Sequence, residues 1–181
     1  MKELSLHIMD IVENSIRGDA SLIKLSINED VDKNLLKIRI VDNGKGIPKD
    51  VLENVKNPFV TSRTTRPVGL GISLFEAAAK QCEGSLDILS KVGMGTAVKV
   101  KFKYDHIDRA PLGDMPKTIT SLVLGLSDAN LIYEHSYREK KFILDTREIR
   151  NMIGEKVPLD NIQVVSWIKN HVEEELKELC S

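Results

Sequence analysis

The chain has 181 residues, 41% of them hydrophobic, enough for one ordinary globular domain or a domain with an appendage rather than two independent small domains. Its 26 basic and 27 acidic residues nearly cancel, so no large field draws it to nucleic acid or to an anionic membrane. There is no signal-type N-terminus and no apolar run near the ~20 residues that cross a bilayer, so the expected location is cytoplasmic. Cys82 and Cys180 lack metal-ligand spacing and read as free thiols.

Apolar residues at Leu4, Ile8, Ile11, Val12 and Ile16 predict a helix with one buried stripe. Asp10, Asn14 and Arg17 fall on its opposite face at i, i+4 and i+7, which lines up a carboxylate, an amide and a guanidinium. His7 lies on a different face from Asn14 and reads as structural. Gly18 and Asp19 end the helix. Strands over Leu22 to Ile27 and Leu35 to Val41 follow, joined by a polar turn through Glu29 to Asn34.

The second strand runs into Asp42-Asn43-Gly44-Lys45-Gly46-Ile47-Pro48. A carboxylate at a strand end can accept a hydrogen bond from an exocyclic amine, and two glycines let the backbone approach a flat ligand. An Asn-Gly turn alone is an ordinary hairpin, so this heptapeptide acquires meaning only from its flanks. Asn57 to Val68, rich in Thr, Arg and Pro, reads as a loop able to move.

Gly69-Leu70-Gly71 opens a helix running to about Cys82, whose first N–H groups can face an anion. Leu86 to Leu89 and Thr96 to Phe102 read as strands around a turn carrying Gly93 and Gly95. Asp105 to Pro116 has two prolines and no periodicity, as in a crossing segment. A helix over Lys117 to Leu126 comes next, then a hairpin of Leu131 to Glu134 with Lys141 to Leu144. A final amphipathic helix from about Asn161 to Leu179 has the stripe Ile162, Val165, Ile168, Val172, Leu176 and Leu179, expected to pack on that hairpin. The expected fold is an α/β (α+β) two-layer sandwich over residues 1–104, with a mixed, mostly antiparallel sheet and helices on one face, followed by a small α/β extension over 105–181.

Three blocks stand in order: Asn14 on its helix, Asp42 to Gly46, and the glycine pairs Gly69-Leu70-Gly71 and Gly93-Met94-Gly95-Thr96. Together they resemble the ATP site of the histidine-kinase-like ATPase superfamily over residues 4 to 103. The resemblance implies ATP and magnesium as cofactors, with Asn14 as the magnesium ligand beside triphosphate and water. It places Asp10 where ATP-hydrolysing members carry a glutamate that orients or deprotonates water, one methylene shorter here. Arg17 then corresponds to a basic residue reaching the phosphates. Asp42 would accept the adenine amino hydrogen, a contact that guanine cannot make. Gly44 and Gly46 allow close approach, Ile47 closes against the ring, and Thr96 joins the adenine pocket through its hydroxyl.

Phe59 to Arg66 corresponds to the family's mobile lid, where Arg63 and Arg66 could reach a γ-phosphate, and Gly69, Leu70 and Gly71 form the phosphate end of the site. Plainer readings stand beside these: Asn14 and Arg17 as solvated helix residues, Thr96 as a β-branched strand residue, the lid as a charged loop.

With only three residues before Leu4, no phosphoacceptor helix pair is seen, which implies a stand-alone ATP-binding domain. Such a protein would hydrolyse ATP slowly or, like anti-sigma-factor kinases, transfer the γ-phosphate to a protein partner in trans. A non-catalytic ATP/ADP sensor that switches partner binding is the second reading. A nucleic-acid-associated ATPase like the mismatch-repair group, suggested by Val12-Glu13-Asn14-Ser15, is the weakest, because the charge is balanced. The sequence names no partner and leaves a homodimer open.

Overall fold

The computed structural model describes residues 2–55 and 68–181. In chain order the elements are α1 (Leu4–Arg17), β1 (Leu22–Asp30), β2 (Leu35–Asp42), α2 (Lys49–Asn54), α3 (Val68–Gln81), β3 (Ser85–Lys91), β4 (Gly95–Lys103), α4 (Met115–Gly125), β5 (Asn130–Tyr137), β6 (Lys140–Asp145), α5 (Thr146–Ile153) and α6 (Ile162–Leu179). The strands form one sheet in the order β3-β4-β2-β1-β5-β6. Every neighbouring pair is antiparallel except β1 and β5, which run parallel from Leu22 opposite Asn130 to Glu29 opposite Tyr137.

Alternation along the strands decides which face is covered. Ile23, Leu25 and Ile27 of β1 are buried, as are Leu36, Ile38 and Ile40 of β2 and Val98, Val100 and Phe102 of β4, and the register puts them on one face. Each such side chain contributes roughly 1.5–3 kcal/mol by leaving water. Helices close that face. Phe75 of α3 packs on Phe102 at 5.9 Å between ring centroids, and His171 of α6 meets the edge of Phe142 at 5.6 Å. The mixed, mostly antiparallel two-layer arrangement expected from sequence is thus the observed one.

The segment after β4 crosses back to α1. The N–H groups of Leu4 and Ser5, unpaired within a helix start, donate to the carbonyls of Pro111 and Leu112, both at 2.9 Å. The sheet continues through both segments set apart in the sequence, because β5, from the later one, lies against β1. At the end of the covered face where β5 finishes, polar groups are fully paired. Glu29 Oε1 bonds His135 Nε2 at 2.7 Å, and Glu29 Oε2 accepts the Tyr104 hydroxyl at 2.9 Å. His135 Nδ1 lies 2.6 Å from the Tyr133 hydroxyl, so both ring nitrogens are engaged. Burial would push the Glu29 carboxyl up, but the His135 and Tyr104 hydrogen bonds outweigh it and hold the group below its ordinary value.

Two elements escape the sequence reading. Helices α2 and α5 span only six and eight residues, too short for a full apolar period to stand out. The stripe on α6 also differs. Ile168 and Val172 are buried, and Val164 joins them, whereas Ile162 is 82% exposed. At 100° per residue Ile162 stands about 120° around the helix from Ile168, while Val164 stands about 40° away.

Candidate functional site

The glycine loop after β2 is held on both sides by the protein itself. The Asn43 side-chain oxygen accepts from the N–H groups of Ser21 and Leu22, both at 2.9 Å, and its amide donates to Ser21 Oγ at 2.8 Å. Lys45 N–H donates to the Gly18 carbonyl at 2.7 Å, and the Lys45 carbonyl accepts from Gly93 N–H at 2.8 Å. Gly46 has φ +75°, and a Cβ there would lie 2.1 Å from the Lys91 carbonyl oxygen; one on Gly44 would lie 2.6 Å from that of Gly18. Both glycines are therefore required by close backbone packing between the end of α1 and the β3–β4 turn.

Asp42, the last residue of β2, is half-buried on the covered face, in register with Ile23 and Thr96. Its Oδ2 accepts the Ser15 hydroxyl at 2.6 Å and its Oδ1 accepts Gly44 N–H at 2.8 Å, so the carboxylate is locked in orientation. Beside it, Thr96 Oγ1 is 2.8 Å from Ser90 Oγ, which accepts Ile47 N–H at 2.7 Å and lies 3.0 Å from the Gly95 carbonyl. The row Asp42, Thr96, Ser90 continues the apolar row Ile40, Val98, Ile88 by one pleat. At this end the covered face turns from apolar to polar.

Helix α1 flanks this corner. Asp10 and Asn14 are half-buried, and Asn14 is the chain neighbour of the Ser15 that holds Asp42. Asn14 makes no side-chain hydrogen bond among the described residues. Gly71 brings the first turn of α3 against Asp10, since a Cβ on it would lie 3.3 Å from the Asp10 Cβ. Burial raises the Asp10 carboxyl above its ordinary value, with Arg17 pulling the other way. Arg17 is exposed and pairs with Glu13 at 3.8 Å. His7 is buried, stacks on Phe75 at 4.8 Å and leaves its Nδ1 without a partner among the described residues.

The structure thus gathers Asp42, Gly44, Gly46, Ile47 and Thr96 at one corner, with Asp10 and Asn14 along the adjoining helix. Gly69, Leu70 and Gly71 form the first turn of α3, where the Leu70 carbonyl accepts the Ser73 hydroxyl at 3.0 Å. Arg63 and the expected lid from Phe59 to Arg66 lie outside the described residues. Ser15 and Ser90 were not foreseen, because their partners Asp42 and Ile47 are 27 and 43 positions away. A polar residue at a covered position of each element was the available signal.

No cluster of three or more His, Cys, Asp or Glu among the described residues could hold a metal ion. No helix among them is long and apolar enough to cross a membrane.

Solved structures share the fold. The N-terminal domain of a DNA repair protein matches with a TM-score of 0.55 at 14% identity, over 86% of this chain and 58% of that one. The Aquifex aeolicus MutL ATPase domain complexed with ADP matches with a TM-score of 0.51 at 16% identity, over 84% of this chain and 69% of that one. Among curated relatives, Sporulation kinase D of Bacillus subtilis is 33% identical over 94 residues, 51% of this chain and 18% of its own length. Sensor kinase CckA of Brucella abortus is 34% identical over 82 residues, 45% of this chain and 9% of its own length. The chain therefore spans less than a fifth of these relatives. Residues 2–106 match the model described as "Histidine kinase-, DNA gyrase B-, and HSP90-like ATPase", and the chain belongs to that family of ATP-binding domains.

Proposed function

We propose that the chain binds ATP at the Asp42 corner with magnesium at Asn14, and that it hydrolyses ATP slowly or passes the γ-phosphate to a separate protein in the cytoplasm. The observation that carries this reading is the Asp42 carboxylate, fixed by Ser15 and Gly44 at the polar end of the covered face. Each carboxylate oxygen has lone pairs beyond those used, so it can accept an adenine amino hydrogen, whereas guanine offers a carbonyl. Thr96 and Ser90 extend that polar edge, and Ile47 stands beside them.

Asn14 fits magnesium. Its amide has no partner among the described residues, and magnesium takes one or two protein oxygens plus phosphates and waters rather than a protein cage. When bound, the ion would neutralise phosphate charge. Asp10, one turn earlier, is made more basic by burial and is the group to orient or deprotonate an attacking water. Arg17 can reach phosphate by leaving Glu13, an exposed pair worth little.

The test is equilibrium binding of ATP and GTP to the wild type and to Asp42→Asn. Preference for ATP, lost in the variant with a fall of about a hundredfold, about 2.7 kcal/mol, is expected. Equal ATP affinity in the two proteins would sink the reading. Incubation with γ-labelled ATP and a copurifying protein then separates transfer, seen as a labelled partner, from slow phosphate release.

A sensor that switches partner binding is the second reading. It is favoured by the contact of Asp10 with the start of α3, through which events on α1 can move another helix. Asp10→Ala keeps the Cβ that faces Gly71 and removes only the carboxylate, so partner control that survives it would support this reading.

A further inference from the structure

The face of the sheet away from the helices has its own pattern. On β2 and β4 the outward positions pair Lys37 with Lys101 and Arg39 with Lys99. Like charges directly opposite one another are destabilising in an antiparallel pair. None of these four cations makes an ion pair among the described residues, and Arg39 and Lys99 are exposed. The chain as a whole is nearly neutral, at −1, so this is local segregation of charge rather than a reflection of composition.

The strip is narrow. Asp87 of β3 lies opposite Lys99 on one side, and Glu134 of β5 lies beyond Ser26 on the other. Two strands about 4.8 Å apart, with their side chains, offer a track about 10 Å wide, the diameter of one helix. A nucleic-acid duplex would set phosphates over the bordering carboxylates, and the outward strand positions carry no aromatic ring on which a base could stack. One pleat further along, the outward residues are Val41 and Ala97, with the 76% exposed Leu89 opposite Ala97. Three rows in succession are therefore cationic, cationic and apolar.

We propose that this strip is a docking surface for an acidic segment of a partner protein, lying along β2 and β4 with carboxylates over Lys37, Lys101, Arg39 and Lys99 and an apolar side chain on Val41, Ala97 and Leu89. Three rows span about 14 Å, which is two to three helical turns. Val41 and Ala97 are the chain neighbours of Asp42 and Thr96, so the docked segment rests on the backs of residues at the candidate nucleotide corner. The surface stands whether or not that corner binds ATP.

Fluorescence anisotropy without nucleotide tests it, using a labelled glutamate-rich helical peptide of about twelve residues with two leucines at one end. A peptide with glutamine for glutamate and a duplex of about twelve base pairs are the comparison probes. The glutamate peptide is expected to bind best, to weaken with salt, and to lose at least about tenfold affinity in Arg39→Glu/Lys99→Glu. The neutral variant Lys37→Gln/Lys101→Gln, which relieves repulsion and should fold at least as stably, is expected to weaken it less. Absent peptide binding, equal binding of the glutamine peptide, tighter binding of the duplex, or unchanged affinity in folded variants would each overturn the proposal.

Discussion

Two polar clusters occupy opposite ends of the same covered sheet face. At one end Glu29 has each oxygen bonded to a ring or phenol, and His135 uses both nitrogens. At the other, Asp42 is locked by single bonds, and Asn14 and the basic Asp10 carboxylate adjoin it along α1. A constellation of acid, histidine and tyrosine looks catalytic by composition, yet both His135 nitrogens and the Tyr104 and Tyr133 hydroxyls are spent within the cluster, whereas the Asn14 amide has no partner among the described residues. Spare bonding capacity, not polarity, separates a fastening from a site.

The largest expected effect strikes the closed end. Glu29→Ala leaves His135 Nε2 and the Tyr104 hydroxyl without their partner and should cost about 3–4 kcal/mol of unfolding free energy, read by denaturant melts. ATP affinity at a temperature where the variant is folded should stay within about twofold. A loss of affinity comparable to that of Asp42→Asn would erase the distinction between the ends.

Acid should remove two stabilising contributions in sequence, that of the buried His7 ring on α1 and that of Glu29. Burial holds the His7 ring at about 4 against its ordinary 6.5, so below that ordinary value the unfolded chain takes up a proton that the folded one refuses. Stability should fall by about 3 kcal/mol in total between those values. Glu29, held below its ordinary carboxyl value, contributes stability that is full above that value and is lost as pH falls through its lowered one. Melting temperature followed against pH should lose its upper window in His7→Phe and its lower one in Glu29→Gln. A His7→Phe profile that follows the wild type would refute the first assignment.

The hundredfold fall in ATP affinity for Asp42→Asn is next in size, and it should come with only about 1 kcal/mol of lost stability. The smallest effect belongs to Ser90→Ala. Removing that hydroxyl frees the Ile47 N–H and the Thr96 hydroxyl, at a cost of about 1 kcal/mol and a several-fold weaker ATP affinity by calorimetry. Full affinity in Ser90→Ala would confine the site to Asp42 and α1.

Much of this was readable before the fold. The six strands and helices α1, α3, α4 and α6 were all legible, α1 and α6 by three-to-four spacing and α3 by its opening glycines, because such signals are local properties of the chain. Helices α2 and α5 were not readable, being too short to display a period. Asp42, Gly44 and Gly46 stood out as residues, but the glycines' packing against Gly18 and Lys91 did not.

The sequence by itself determined the ordered blocks, the acid at the end of β2, and the alternation that makes one sheet face apolar. Tertiary structure alone decided that β5 lies parallel to β1, that Ser15 and Ser90 fix the corner, and that four cations stand side by side on the open face. The physical reason is range. Periodicity and turn chemistry act within a few residues, whereas strand partners and hydrogen bonds across tens of positions are chosen by whichever pairing buries the apolar face and satisfies the polar groups at its ends.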